Sequence, residues 1–518
     1  CEGGEMSCKH LSRAGGLLAA AFLGLAVAAS AGPADDTLRV AISAKIRNLD
    51  FNYSSRREGM IVAELVDESL FHYDPETKEY VPSVASGYVY ADPLTVDVTL
   101  RGGVKFHDGT LLDAGDVAYT YNWIIDDRSG AKARKSVSRW LKKAERVDDR
   151  TVRFHLKSDY PLVLHDIARH VRLRKKGSYT VDGEADRNAM AKEPVGLGPY
   201  RVESFEPGRE IVLRRHDGYF TDSPKGPAGI GRIVFRILSG KSARRDEASN
   251  GALDLMIDVA ASEAADLAEL PRLERISGPD LRIGFLVLDA AGITDHNGPL
   301  TDLLVRRAMN FAIDRARIAE TLIGGASEPL YTPCHPAQFG CAQDITKYPY
   351  DPAKARELLA TAGYPDGFKM NLMVYRNRAI ARSVAADLGA IGIRVGLQTV
   401  DVDELRDARS FGEVQAYFGT WRSSGIPDVS AILPAHFAEG SDRNMSGDAF
   451  LSRTIAAAGR TGDQKKRAKL YRRALATITD QAYWVPLATY SRNHLVSSEV
   501  SFAVSADGLP RLYRAGWK

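Results

Sequence analysis

At 518 residues the chain is too long for one ordinary hydrophobic core, so its length predicts at least two packed units. Its 44% apolar and 26% charged residues are values typical of a globular protein. The formal net charge is only +3, and no run of Lys and Arg is interleaved with aromatic residues, so the composition does not support a nucleic-acid or anionic-membrane partner.

The N-terminal region is typical of a secretory signal peptide. A small, apolar run from Leu17 to Ala29 follows Lys9 and Arg13 and precedes a small-residue cleavage pattern ending at Ala31. The run is shorter than the roughly 20 residues that span a bilayer, and no cysteine follows it directly. We expect residues 1–31 to be removed and the protein to be exported without a lipid anchor.

Two cysteines, Cys334 and Cys341, remain after the signal peptide. In an oxidising compartment such a close pair predicts a disulfide. The alternative is a metal site that also uses His335, but a structural zinc site needs four ligands and the sequence offers no second cluster. We therefore predict a disulfide and no bound metal.

The first half of the chain mixes extended and helical patterns. Apolar residues recur at strand spacing from Leu38 to Ala44 and at helical spacing from Gly59 to Phe71. A strand-rich region follows around one clear helix, Ala114 to Ile125, for which Asp113 is the expected N-cap. Further strands are expected at 95–100, 151–156, 232–238 and 253–257, a helix at 241–250, and a hairpin from 200–205 and 210–215.

The second half repeats the alternation of strands and helices. Strands are expected at 283–288, 370–375, 395–400 and just before Trp421, and helices within 300–323 and at 351–362, 379–391 and 463–482. This alternation predicts an α/β lobe with parallel-type strands. No long linker separates it from the first half, so we expect short, hinge-like crossings.

A turn motif carries a His and an Asp that resemble an acid/base pair. The string Leu100-Arg-Gly-Gly-Val-Lys-Phe-His-Asp-Gly-Thr110 is a strand followed by a tight turn at Asp108-Gly109. No nucleophile with a base and an orienting group is visible, so we interpret His107 and Asp108 as structural and predict no catalytic residues.

The stretch from Tyr417 to Asp428 is a candidate ligand site. An apolar strand pattern breaks there into a loop that carries Trp421 and Arg422. An exposed indole beside a guanidinium suits a small polar organic ligand, because it combines a flat apolar surface with planar hydrogen-bond donors. The alternative is that Trp421 only ends a buried strand.

Four strings, in order along the mature chain, carry a family resemblance. They are Leu100 to Thr110, Gly196-Leu-Gly-Pro-Tyr-Arg-Val-Glu-Ser-Phe205, Val305 to Arg315 with Gly324-Gly325, and Asp507 to Leu512 with Trp517. The chain resembles the extracellular solute-binding proteins of ABC importers, specifically the oligopeptide and dipeptide binders of family 5.

The resemblance implies an α/β, two-lobed periplasmic-binding-protein clamshell of type II with an extra inserted subdomain. On this basis we expect lobe I in three parts, a subdomain inserted after the first part, and lobe II between the second and third. The expected residue ranges are 32–75, 191–278 and 490–518 for lobe I, 76–190 for the subdomain and 279–489 for lobe II.

The resemblance also implies ligand-binding positions. In peptide-binding members an acidic residue three positions after a tryptophan like Trp421 anchors the free ammonium of the peptide. That position is Ser424 here. The next acid is Asp428, which can belong instead to the Pro-Asp turn that follows the anchor in the family. The usual ammonium anchor is therefore in doubt, and Arg422 indicates an anionic or carboxylate-bearing ligand. Dipeptide binders also hold the ligand carboxylate with an arginine after a strand like 370–375, where Arg376 and Arg378 stand, although either can also be a solvated surface residue.

Three further residues complete the predicted site. Asn444 resembles the family's Asn near the cleft, although it can equally be a turn residue, and Tyr53 follows the first strand. Tyr417 begins the Trp421 stretch.

The predicted function is that of a periplasmic receptor, not an enzyme. We expect a monomer without cofactor that captures short peptides or a related small polar solute, such as an opine-like conjugate, glycan or metal chelate. It would deliver this solute to an inner-membrane ABC permease and its ATPase subunits. The alternatives are a periplasmic hydrolase and a sensory or chaperone-like binder on the same fold.

Overall fold

The computed structural model describes residues 33–54, 56–181, 184–423, 425–505 and 507–518. The predicted signal peptide and Ser424 lie outside these ranges. None of the helices within them combines the length and the apolar character that crossing a bilayer demands.

The strands of the described residues are numbered here in chain order. They are β1 (Thr37–Ile42), β2 (Phe71–Asp74), β3 (Glu79–Pro82), β4 (Ala85–Asp92), β5 (Thr95–Leu100), β6 (Leu141–Arg146), β7 (Thr151–Leu156), β8 (Thr180–Val181), β9 (Glu184–Ala185), β10 (Tyr200–Glu206), β11 (Glu210–Arg215), β12 (Arg232–Ile237), β13 (Leu255–Val259), β14 (Leu273–Leu288), β15 (Lys369–Val374), β16 (Arg394–Thr399), β17 (Ala416–Arg422), β18 (Trp484–Ser497), β19 (Val500–Ser501) and β20 (Gly516–Trp517).

The α-helices are numbered in the same way. They are α1 (Arg57–Val66), α2 (Ala114–Ile125), α3 (Arg134–Val137), α4 (Val163–His170), α5 (Lys241–Ser249), α6 (Ala261–Leu267), α7 (Leu303–Ala312), α8 (Arg315–Arg317), α9 (Pro352–Thr361), α10 (Arg378–Gly389), α11 (Val402–Ser410), α12 (Leu433–Phe437), α13 (Ala449–Ala458) and α14 (Gln464–Asp480). A π-helix spans Ile318–Ile323, and 3₁₀ turns span Pro33–Asp35, Phe51–Tyr53, Pro299–Thr301, Val429–Ala431 and Leu512–Arg514.

Aspartate caps explain where several helices begin. Asp113 accepts hydrogen bonds from the backbone N–H groups of Gly115 and Asp116 at the start of α2, as predicted, and Asp116 returns the bond in a capping box. Asp351 and Asp463 cap α9 and α14 in the same manner. Each carboxylate satisfies first-turn amides that have no partner within the helix.

One ten-stranded mixed sheet runs through the molecule in the order β10-β11-β12-β1-β13-β18-β14-β17-β15-β16. We define the first lobe as the end containing β10 to β13, together with the smaller sheets before β10. The second lobe is the end containing β17, β15 and β16 with the helices from α7 to α14. β1 lies parallel to β12 and β13, and β15 lies parallel to β16 and β17. The α/β, two-lobed fold class is confirmed.

Two long antiparallel strands, β14 and β18, connect the lobes. They pair from Leu273 with Ser497 to Val287 with Trp484, and their register shifts between Asp280 and Ile283. Such an irregularity bends a strand and increases its local twist. The lobes therefore meet at a two-strand crossing and not at a flexible linker.

The first lobe carries an added four-stranded sheet of order β4-β5-β7-β6. Its own core, which includes Val98, Phe106, Tyr121, Trp140 and Phe154, is packed between this sheet and α2 to α4. The segment is thus a packed unit inserted between α1 and β10, and it extends the wall of the first lobe.

The disulfide prediction is confirmed. Cys334 and Cys341 are joined with an S–S distance of 2.06 Å in the second lobe. His335 lies next to the bond, and its Nδ1 accepts a hydrogen bond from the backbone N–H of Ala337.

Two element predictions were wrong in extent. The strand expected at 283–288 begins ten residues earlier, at Leu273, because Ser277-Gly278-Pro279 remains extended while it pairs with β18. The helix expected from Gly59 to Phe71 ends at Val66, and Phe71 begins β2. In both places strand pairing, with β18 in the first case and with β3 in the second, overrides the local pattern.

Candidate functional site

A cavity of about 590 Å³, here called the outer cavity, lies between the lobes. Its walls come from residues 51–60 and 132–170 of the first lobe and from residues 426–435 of the second. The lobes also touch nearby, where the Gly462 N–H donates to Asp159 at 3.0 Å. The volume lies within the roughly 300–1,000 Å³ usual for small-molecule sites.

A smaller inner cavity of about 200 Å³ lies where β14 and β18 cross. Arg57, Arg169, Arg422 and Arg492 line it together with Asp280 and Asp507. Met60 contributes to the walls of both the inner and the outer cavity, so the two adjoin.

The inner arginines belong to a chain of ion pairs beside the register shift. Asp280 contacts Arg422 at 3.2 Å and Arg492 at 3.3 Å. Arg492 continues to Asp258 at 2.7 Å, and Asp258 contacts Arg57 at 3.0 Å. The residues come from α1, β13, β14, β17 and β18, so folding of both lobes is needed to assemble this network.

A third cavity of about 620 Å³, here called the rim cavity, lies beyond the carboxyl end of β1. Lys45, Arg47 and Arg56 line it, and all three are exposed. Ser54 contributes to both the rim and the outer cavity, so these two adjoin as well.

Trp421 and Arg422 occupy different environments. The Trp421 indole is half-buried, packs edge-on against His436 with ring centroids 4.9 Å apart, and donates through Nε1 to the Ala431 carbonyl at 3.0 Å. Ala431 is a wall residue of the outer cavity. Arg422 lines the inner cavity, and burial lowers its pKa to about 10.

Asp428 and Tyr417 lie inside the second lobe. Asp428 is buried, contacts Arg467 at 2.7 Å, and caps the Val429–Ala431 turn. Tyr417 is 3% exposed and belongs to the apolar core of the lobe. These side chains hold the wall from behind and offer no open surface to a solute.

The arginines predicted after β15 are exposed. Arg376 lies over the Tyr375 ring at 4.5 Å and donates to Thr420, whereas Arg378 is the first residue of α10. Burial lowers the pKa of Arg282 on β14, and the positive charge of nearby Arg376 lowers it further. Arg376 therefore extends the positive region at the lobe crossing.

Asn444 and Tyr53 differ in what they contact. Asn444 donates to the carbonyls of Phe437 and Ala438 and accepts from Ser446, the pattern of a turn-forming residue. Tyr53 lines the rim cavity, and its hydroxyl accepts from Trp123 Nε1 at 2.8 Å. Burial raises the pKa of Tyr53 to about 12.

His107 and Asp108 form hydrogen bonds with nearby backbone groups. Asp108 accepts from both the backbone N–H and the hydroxyl of Thr110, and His107 Nε2 lies 3.0 Å from the Gly198 carbonyl oxygen. These contacts fit the structural interpretation of the motif.

A cluster on α4 places His165, Asp166 and His170 together, with their potential ligand atoms within 4.8 Å of one another. Burial raises the pKa of Asp166 to about 7 and lowers that of His170 to about 4. Arg139 and Arg169 are near these groups, so the local potential opposes a further cation.

Comparison with known proteins identifies the family. Residues 79–444 match the family model described as bacterial extracellular solute-binding proteins, family 5 middle. The chain belongs to this family. The predicted resemblance is confirmed, and so is a role in solute binding.

Individual relatives are similar over almost the whole chain. Glutathione-binding protein GsiB of Salmonella choleraesuis is 28% identical over 490 residues, covering 90% of this chain and 92% of the relative. HbpA2 from Haemophilus parasuis superimposes with a TM-score of 0.82 at 22% identity, covering 93% and 100%. DppA from Helicobacter pylori, solved with the peptide STSA, gives 0.68 at 25% identity, covering 93% and 98%. GsiB and DppA are binding proteins.

Most of the charged cavity wall was missed from the sequence. The missed residues are Lys45, Arg47, Arg56, Arg57, Lys132, Lys135, Arg139, Arg169, Asp280, Arg492 and Asp507. Two signals were available: Asp280 and Arg282 interrupt an apolar strand, and Asp507 lies within a string already noted as distinctive. Neither signal shows by itself which distant residue it meets.

Proposed function

We propose that this protein is the receptor of an ABC importer for short peptides or related small polar solutes. It would bind the solute between its lobes and present it to an inner-membrane permease coupled to ATPase subunits. The outer cavity carries this proposal, because its walls come from both lobes and it adjoins the strand crossing.

The mechanism follows from the position of the cavity. A solute that touches both walls stabilises the arrangement in which the lobes are together, and the register shift of β14 and β18 is the natural bending point. A permease could then distinguish loaded from empty receptor by the relative position of the lobes.

The proposed ligand-binding residues divide by contact. Arg422 and Tyr53 line cavities directly, and Arg376 extends the basic surface. Trp421 supports the wall through Ala431, while Asp428, Tyr417 and Asn444 hold the second-lobe loops in place. Arg378 and Ser424 stay as sequence-based predictions of direct contacts.

The proposed location is the periplasm, and the proposed working form is a monomer. Membership of an extracellular solute-binding family supports export, as does the disulfide, since such bonds persist in oxidising compartments. Two of the relatives, GsiB and DppA, bind glutathione and a peptide, which supports a peptide-like solute.

A thermal-shift screen of ligand-stripped protein tests the receptor proposal. The panel contains glutathione, dipeptides and tripeptides of each charge type, an opine, a sugar and a metal chelate. A ligand that binds only the folded state raises the unfolding temperature, and the stabilisation grows with the logarithm of the ligand excess over Kd. A dose-dependent rise with at least one small solute is expected, and no rise with any of them at millimolar concentration contradicts the proposal.

A further inference from the structure

We propose that the receptor selects an anionic solute, a small molecule that carries more carboxylates than ammonium groups. This inference rests on the proposed receptor function and specifies its substrate class. It is carried by the charge on the three adjoining cavities.

The cavity walls are far more positive than the chain as a whole. The rim, inner and outer cavities are lined by three, four and three Lys or Arg side chains, against zero, two and one carboxylates. The whole sequence has 69 basic and 66 acidic residues. The three cavities together are therefore lined by ten basic and three acidic side chains. The rest of the chain has no such excess of positive charge.

The inner cavity has more guanidinium groups than its carboxylates can neutralise. Asp280 is shared by Arg422 and Arg492, and Asp507 is shared by Arg169, at 3.2 Å, and Arg511, at 2.7 Å. Each acid thus serves two arginines, and of these four arginines Arg492 alone pairs with a second acid, Asp258, among the described residues. Excess positive charge in a confined space is costly unless an anion accompanies it.

Unused donors are present on the same walls. The Nε atoms of Arg169, Arg422 and Arg492 are buried and have no hydrogen-bond acceptor among the described residues. Arg169 itself is only 4% exposed. Guanidinium groups bind carboxylates through planar, charge-assisted hydrogen bonds, so a ligand carboxylate matches both the charge and the donor type.

The outer walls suit the approach of the same ligand. Lys132 and Lys135 are exposed on the outer cavity, and within the described residues neither forms an ion pair. Cations along a cleft attract an anion over roughly one Debye length and raise its association rate. Asp166 carries only part of a negative charge near neutral pH, because burial raises its pKa to about 7.

The test is a calorimetric titration of ligand-stripped protein with size-matched dipeptides. The probes are Glu-Glu, N-acetyl-Glu-Glu, Gln-Gln and Lys-Lys, with glutathione as a fifth. We expect Glu-Glu to bind at least about tenfold more tightly than Gln-Gln, Lys-Lys to bind most weakly, and N-acetylation to leave the affinity of Glu-Glu unreduced.

Three variants locate the effect. Arg422→Gln should weaken Glu-Glu binding about tenfold or more. The double variant Lys132→Gln with Lys135→Gln changes only exposed residues, so it should fold, weaken binding severalfold, and reduce its salt dependence. Arg209→Gln removes an exposed arginine from the β10–β11 turn, away from the cavities, and should bind like wild type.

The outcomes separate this inference from the receptor proposal. Equal or tighter binding of Gln-Gln or Lys-Lys overturns anion selection and leaves the receptor function standing. An unchanged affinity in both the Arg422 and the double lysine variant overturns the assignment to these cavities. Absence of binding by all five probes overturns anion selection as stated, whereas the receptor proposal fails only if the wider thermal-shift panel also shows nothing.

Discussion

Two charged networks, one inside the first lobe and one where the lobes cross, use the same residue types in opposite ways. Beneath α1, Arg174 is fully buried and pairs with Asp50 and Asp67 at 3.0 and 2.6 Å, while Arg172 pairs with Glu64 and Lys225 with Glu68. Here the acids outnumber the cations. In the cleft network the arginines outnumber the acids and border open space.

The difference indicates which network is structural and which receives a ligand. A buried network in which each cation has at least one carboxylate of its own fixes the position of α1 against the inserted unit. A network with excess charge beside a cavity is complete only with a counter-ion. The four predictions that follow address this contrast, in order of decreasing expected effect on stability.

The largest effect is expected from Arg174→Met. The substitution leaves Asp50 and Asp67 buried without their cation, and breaking a buried pair in this way costs about 3–5 kcal/mol of unfolding free energy. Denaturant unfolding measures the loss. Arg153→Gln is the matched control, because Arg153 pairs with Asp97 at 2.7 Å on the surface and should cost less than about 1 kcal/mol. Equal losses in the two variants would remove the distinction between buried and surface pairs.

Asp166→Asn should show a pH-dependent effect. Burial raises the pKa of Asp166 from 3.8 to about 7, so the folded state holds this proton more tightly than the unfolded state. The resulting stabilisation is fully present below pH 3.8 and is lost as the pH rises through 7. Asn does not titrate, so the variant should gain about 2 kcal/mol relative to wild type between pH 5 and pH 8.

Unfolding free energies of both proteins at pH 5 and pH 8 measure this gain. The network beneath α1 behaves differently. Burial alone would raise the pKa of Glu64, but the positive charges of Arg172 and Lys225 nearby lower it. A stability difference between Asp166→Asn and wild type that is the same at both pH values would show that Asp166 titrates normally.

Gly425→Ala probes how closely the second lobe approaches the cleft arginines. Gly425 has a φ of +76°, and an added Cβ would lie 2.5 Å from Arg169 Nη2. Strain at positive φ and displacement of Arg169 should together cost about 1 kcal/mol of stability. Gly440 also has a positive φ, +77°, but open space around it. Gly440→Ala therefore measures the cost of the backbone strain alone. If the two variants lose the same stability, the contact with Arg169 has no energetic weight.

Arg422→Gln should have the smallest effect on stability. Its side chain is about one-third exposed, at 35%, and Asp280 retains Arg492 after the substitution. We expect a loss below about 1 kcal/mol in the same denaturant experiment. A loss as large as that of Arg174→Met would place Arg422 among the structural ion pairs.

Local sequence patterns predicted much of the fold, because capping and alternation act over a few residues. The α2 cap at Asp113 and the β10–β11 hairpin are examples. The cleft network depends instead on pairs that are distant in sequence, such as Arg57 with Asp258, 201 residues apart, and Arg169 with Asp507, 338 apart. No local pattern encodes such a pairing.

The Trp421 stretch shows the same limit. Its strand and the following loop were predictable, and Arg422 does line a cavity. Whether the indole faces a ligand or packs behind the wall depends on His436 and Ala431, which reach it only in the folded second lobe. The strand pattern in the sequence predicted where the loop begins but not how its side chains are oriented.

The most direct test of the account compares wild type with Arg422→Gln in two measurements on the same samples. These are the Kd for Glu-Glu and the free energy of unfolding. We predict a Kd that rises about tenfold or more while stability falls by less than about 1 kcal/mol. An unchanged Kd with a loss of several kcal/mol would contradict the account, because Arg422 would then serve the fold and not the ligand.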